Sequence, residues 1–179
     1  MDIGSLLKIE DPVKRRAMFV AFLSKEVTKR GGRAPIIVGG EAVEIYTQGS
    51  YTTGDIDVLA ELDILESVLS GWGFLKTGRL WLSKDLDIYI DWRGSNLESG
   101  KEPEILKITD DLQVSVIAVE DLIIDRLNSA KWWGDTDSLM WAKVLINIKR
   151  AIGVLDYSYL KERAKKQDIE DILIKAIEE

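Results

Sequence analysis

The apolar positions of the chain change period twice. From Pro12 to about Arg30, Val13, Ala17, Val20, Ala21, Leu23 and Val27 recur over helical turns. Asp11 can cap this helix, Pro12 suits its first position, and Gly31 and Gly32 end it. "PIIVG" (Pro35 to Gly39) reads as a short buried strand, and "EAVEIYT" (Glu41 to Thr47) as a short helix starting directly from Gly40. "IDVLA" (Ile56 to Ala60) is a second strand, followed by a helix from about Leu62 to Ser70 that Gly71 and Gly73 stop. Phe74 to Trp92 reads as strands, two segments around Gly78 and a stronger one ending at Trp92. "EILKIT" and "LQVSVIA" predict a hairpin about Asp110 and Asp111.

From Val119 the period is helical to the end. "VEDLIIDRLNSAKWW" comes first, then a helix that Asp135 or Asp137 can cap and Gly153 can close, then two shorter amphipathic helices. The expected organisation is an α+β core over 1–118 and a C-terminal helical segment over 119–179 packed on it, since no Pro- or Ser-rich linker separates them. Trp132, Trp133 and Trp141 are expected as core or oligomer anchors.

Composition narrows the chemistry. The chain has 179 residues, 46% of them hydrophobic, enough for a real core. It has no cysteine and no histidine, which removes thiol catalysis, cysteine-ligated zinc and every triad built on imidazole. An enzyme built from this sequence must use carboxylates, Lys, Tyr, Ser or Thr and hard cations. The net charge of -7 argues against a general nucleic-acid coat, though a local basic patch is allowed. The opening stretch lacks a continuous apolar run before a cleavage site and no later stretch suits a membrane span, so the expected location is the cytoplasm, with no membrane partner. Charged residues at 31% with scarce Asn and Gln lean towards a thermophilic source.

Two stretches carry candidate chemistry. Alternation along a strand puts Asp55 and Asp57 on one face and Ile56 and Val58 on the other. The later strand repeats this with Asp87, Tyr89 and Asp91. Each stretch alone also fits the solvated face of a half-buried strand. Side by side, the two would gather three or four carboxylates, a cluster that costs several kcal/mol unless cations such as Mg²⁺ compensate it. Two such ions held by three carboxylates suit phosphoryl chemistry. Gly39 and Gly40, at a strand-to-helix turn, let the backbone approach an anion, where a helix N-terminus favours phosphate.

The order strand, Gly-Gly, short helix, Thr-containing loop and Asp-Ile-Asp resembles the minimal nucleotidyltransferases of the polymerase-β-like superfamily, especially those related to abortive-infection toxins of prokaryotic toxin–antitoxin systems and stand-alone prokaryotic relatives. The resemblance spans about Ile36 to Leu145 and is most specific from Val38 to Val58. It implies a nucleotidyltransferase fold, a small mixed sheet flanked by helices, and transfer of a nucleoside monophosphate from an NTP to a hydroxyl of a tRNA or a protein. Mg²⁺ or Mn²⁺ would be the cofactor and an antitoxin a partner. It implies that Gly39, Gly40 and Thr53 hold the nucleotide, that Asp55 and Asp57 bind metal, and that Asp91, or else Asp87, is the third carboxylate. Lys131 would reach a phosphate. Tyr51 stands where many relatives carry an arginine, and the spacing from Gly40 to Asp55 is long. A catalytically silent binder of the same fold, and a structural protein whose acids face water, are the alternatives.

Overall fold

The computed structural model describes residues 3–97 and 99–178. A short 3-10 helix, Ile3–Lys8, precedes α1 (Pro12–Lys29). Asp11 caps α1 by accepting the N–H groups of Val13 at 2.9 Å and Lys14 at 3.3 Å. There follow β1 (Ile36–Ile37), α2 (Gly39–Tyr46), β2 (Ile56–Leu59), α3 (Leu62–Gly71), β3 (Leu75–Thr77), β4 (Leu80–Ser83), β5 (Ile88–Gly94), β6 (Glu104–Thr109) and β7 (Leu112–Val116). The strands form one mixed sheet in the order β3-β4-β5-β2-β1-β7-β6. Pairs β1/β7 and β2/β5 are parallel and the others antiparallel.

The alternation expected from the sequence sets which face of β2 and β5 is dry. Ile56 and Val58 on β2, Ile88 and Ile90 on β5 and Trp81 on β4 are fully buried. They share a core with Phe19 and Leu23 of α1 and Leu65 and Leu69 of α3. Each such side chain, fully withdrawn from water, contributes about 1.5–3 kcal/mol. Phe19 closes this layer by meeting Trp72 edge-on at 5.9 Å and Phe74 at 5.4 Å.

The C-terminal third is helical throughout: α4 (Val119–Trp133), α5 (Thr136–Ala151), α6 (Tyr157–Lys166) and α7 (Glu170–Glu178). Gly134 ends α4 in the left-handed conformation, and Asp135, one of the two candidate caps, accepts the Ser138 N–H at the head of α5. Polar contacts fasten these helices to the sheet. Tyr46 on α2 donates to the Ile117 carbonyl in the link from β7 to α4 at 2.8 Å, and Lys149 on α5 pairs with Glu104 on β6 at 3.2 Å. Asp121 on α4 accepts the Lys101 N–H at 2.7 Å and the Tyr159 hydroxyl at 2.6 Å.

Three expectations need correction. The first strand is only two residues long, because Gly39 already belongs to α2. Asp87 is not on a strand face; it sits exposed in the turn before β5 with φ 51, so it cannot share the face of Tyr89 and Asp91. Trp132 and Trp133 are 54% and 84% exposed, so neither is a core anchor, whereas Trp141 packs edge-on against Tyr51.

Candidate active site

Parallel pairing of β2 with β5 sets Asp57 directly opposite Asp91, while Ile56 and Ile90 pair on the dry face. Asp55 precedes β2 by one residue, and ligand oxygens of Asp55, Asp57 and Asp91 lie within 4.8 Å of one another. Asp91 is almost wholly buried, and the other two are half-buried. Burial raises the pKa of Asp57 most, followed by the charge of Asp55. Asp91 adds to that rise, while Arg93 and the backbone N–H of Gly40 oppose it.

The Gly-Gly turn lies against this cluster. Gly39 has φ +60, and a Cβ there would fall 2.0 Å from Asp57 Oδ2. A Cβ on Gly40 would fall 2.7 Å from Thr53 Oγ1 and 3.3 Å from the Tyr51 ring. Glycine is therefore needed at Gly39 for both conformation and space, and at Gly40 for space. Val38 precedes α2 in extended conformation and offers no side-chain cap; the N-terminus of the helix instead faces Asp57, whose carboxylate accepts the Gly40 N–H. Thr53 braces the loop by donating to the Asp55 carbonyl at 3.3 Å.

Two arginines complete the cluster. Arg79, in the β3–β4 turn, places Nε 2.8 Å from Asp91 Oδ1. Arg93, two residues after Asp91 on the same face of β5, places Nη1 3.1 Å from Asp91 Oδ2 and Nε 3.8 Å from Asp57 Oδ1. Despite the short Arg79 contact, Asp91 Oδ1 is buried without a well-directed hydrogen bond. The donors are hard oxygens, convergent and partly unsatisfied, which fits Mg²⁺ or Mn²⁺ held by Asp55, Asp57 and Asp91.

The remaining sequence candidates divide. Gly39, Gly40 and Thr53 line the cluster, as described. Lys131 does not join it: its ammonium donates to the Asp168 carbonyl and pairs with Asp171 of α7 at 2.8 Å, beside the ring of Trp132. Arg79 and Arg93 belong to no motif of the sequence. Strand alternation from Asp91 to Arg93 was a usable signal. Arg79 had none, because its nearness depends on β4 pairing Leu80 with Asp91.

Behind the site, α2 is anchored by charge. Glu41 and Glu44 are buried, and Arg16 of α1 meets them at 3.2 and 2.5 Å. Burial and the neighbouring Glu44 push the Glu41 carboxyl up to about 7, against the pull of Arg16.

The mixed sheet flanked by helices is that of the nucleotidyltransferase fold. Among solved structures, the chain is similar to ANT(2'')-Ia in complex with adenylyl-2''-tobramycin, with a TM-score of 0.57 and 14% identity over 85% of this chain and 98% of that one. It is also similar to the solution structure of the antibiotic-resistance factor ANT(2'')-Ia, with a TM-score of 0.53 and 14% identity over 89% of this chain and 96% of that one. No family model and no curated protein matches the chain.

Proposed function

We propose that the protein is a Mg²⁺- or Mn²⁺-dependent nucleotidyltransferase that moves a nucleoside monophosphate from an NTP to a hydroxyl of an RNA or a protein. The observation that carries this is the convergence of Asp55, Asp57 and Asp91 within 4.8 Å, directly beside the Gly39 backbone. Bound divalent ions would supply charge neutralisation at the transferred and leaving phosphates. Gly39, Gly40 and Thr53 receive the triphosphate at the head of α2. Asp91, buried and lateral to the other two, orients the acceptor hydroxyl and takes its proton as the new P–O bond forms and pyrophosphate leaves. Catalysis is then mostly positioning and electrostatics. Lys131 stays outside this reading because its ammonium is held by α7.

The resemblance of the stretch Val38 to Val58 to abortive-infection toxins is what suggests an RNA or protein acceptor and an antitoxin partner. The similarity to ANT(2'')-Ia, solved with adenylyl-2''-tobramycin, adds a small polyhydroxylated acceptor as a comparison. A silent nucleotide binder is the second reading, favoured by the guanidinium groups that already neutralise Asp91. The experiment incubates wild type, Asp55→Asn and Asp57→Asn with each labelled NTP, Mg²⁺ or Mn²⁺, and separately total RNA, total protein or tobramycin. Label in one fraction, lost in both variants, supports transfer. Wild type that labels nothing yet gains stability with NTP and Mg²⁺ supports the silent reading; at 100 times Kd that gain is about 2.7 kcal/mol.

A further inference from the structure

We propose that Arg79 and Arg93 guard the carboxylate cluster, excluding divalent ions in the absence of nucleotide and releasing the cluster when a triphosphate gives the guanidinium groups a new anion. The inference rests on the proposed nucleotidyltransferase reading and concerns how that same site is loaded.

The oxygen inventory leads to it. Of the four carboxylate oxygens on Asp57 and Asp91, three face guanidinium nitrogens, at 2.8, 3.1 and 3.8 Å. The fourth, Asp57 Oδ2, packs against Gly39 at the head of α2. A divalent ion binds carboxylate oxygens at about 2.1 Å, and a guanidinium at those oxygens blocks its approach and repels it, through the hydrogen bond of Arg93 to Asp91 Oδ2 and through charge alone where Arg79 faces Oδ1. Guanidinium and metal therefore compete for Asp91, and one of them must always be there, because an uncompensated carboxylate buried as deeply as Asp91 is costly.

The two sides of these pairs differ in freedom. The side chains of Asp91 and Asp57 are only 5% and 18% exposed and ride on paired strands, whereas those of Arg79 and Arg93 are 60% and 46% exposed. The arginines are the partners able to move. Both stay tethered at the mouth of the cluster, Arg79 by the β3–β4 turn and Arg93 by β5, where planar guanidinium forks match phosphate oxygens bidentately. Metal without nucleotide must push two guanidinium groups into water with no new partner. Metal with a triphosphate hands them one. The two ligands therefore bind with positive coupling, and the coupling is reciprocal.

The test titrates Mn²⁺ by calorimetry into wild type, Arg79→Gln, Arg93→Gln and the double variant, without nucleotide and then with a non-hydrolysable α,β-methylene NTP analogue. Asp57→Asn serves as the metal-site control, and thermal unfolding checks each fold. The expected result is that the glutamine variants bind Mn²⁺ alone about tenfold tighter than wild type or better, a change of about 1.4 kcal/mol. The analogue then strengthens Mn²⁺ binding in wild type by a larger factor than in the variants. Arg93→Lys, which keeps the charge but loses the fork, should fall between, and it stands in if Arg93→Gln does not fold. Equal or weaker Mn²⁺ binding by the glutamine variants, with binding lost in Asp57→Asn, overturns the guarding role and leaves the nucleotidyltransferase reading standing. No Mn²⁺ binding by any form, even with the analogue, overturns both.

Discussion

Gly39 and Asp57 are in such close register that a single methyl group on the glycine would stand 2.0 Å from the carboxylate Oδ2. The contact joins the start of α2 to the middle of β2, so the phosphate-facing backbone and the proposed metal ligand cannot shift independently. Gly39→Ala should carry two costs, a left-handed backbone at about 1–2 kcal/mol and a displaced Asp57. Gly31 has φ +87 and open space around its Cβ position, so Gly31→Ala should carry only the first. Thermal unfolding of both variants, with Mn²⁺ titration in the presence of NTP analogue, separates the two effects. Unimpaired metal binding in Gly39→Ala would show that Asp57 need not stay where the glycine lets it lie.

Asp57→Asn should stabilise the metal-free protein at neutral pH. The folded-state pKa of Asp57 is raised by burial and then by Asp55, so the folded chain holds this proton more tightly than the unfolded chain. The resulting contribution is complete at low pH and is lost as pH rises through the folded pKa. The advantage of the variant should therefore be largest near pH 8 and shrink as pH is lowered into the carboxylate range. A variant less stable than wild type at pH 8 would assign Asp57 a net structural role.

The Arg16–Glu41–Glu44 cluster predicts a second and separate pH dependence. With Glu41 raised from 4.5 to about 7, stability from this group is present below about pH 4.5 and fades as pH climbs through 7. Glu41→Gln should flatten that slope and add about 1–3 kcal/mol at pH 8. Arg16→Met should instead cost about 3–5 kcal/mol, since it leaves two buried carboxylates without their partner. Chemical denaturation across pH 5 to 9 reads both; a wild-type slope unchanged by Glu41→Gln would place the titration elsewhere.

Trp141 should matter to nucleotide binding although it lies on a C-terminal helix. Its ring meets Tyr51 edge-on at 4.9 Å, and Tyr51 in turn borders Gly40 and the Thr53 loop. Trp141→Ala should lower stability by about 1–3 kcal/mol and also weaken binding of the NTP analogue. Lost stability with unaltered affinity would mean that α5 supports the fold without supporting the loop.

Local periodicity carried much of this in advance. The Asp11-Pro12 start, the Asp135 cap and the α4 segment Val119–Trp133 match the expectation because caps and helical apolar spacing are short-range signals. Asp55, Asp57 and Asp91 were legible because alternation beside a buried isoleucine row forces acids to the other face. The alternation does not carry back to Asp87, because the left-handed backbone of the turn before β5 resets it. Helical spacing gives Lys131, Trp132 and Trp133 a face but not what covers it: Lys131 pairs with Asp171 of α7, and the two tryptophans stand exposed, which removes the core role and not the oligomer one. Arg79 lay beyond reach because its neighbour is decided by strand pairing, a long-range choice.

The pairing of β2 with β5 also makes the cluster a matter of parity. Asp57 meets Asp91, and Ile56 meets Ile90, only because the residue count along each strand keeps odd and even positions in step. Inserting or deleting one residue between Ile88 and Asp91 would turn the carboxylate in among Trp81 and Ile56 and bring an isoleucine out to face Asp57. Such an indel would be far more damaging than any single apolar exchange in the same strand, while a two-residue change would restore the facing but slide it by about 7 Å.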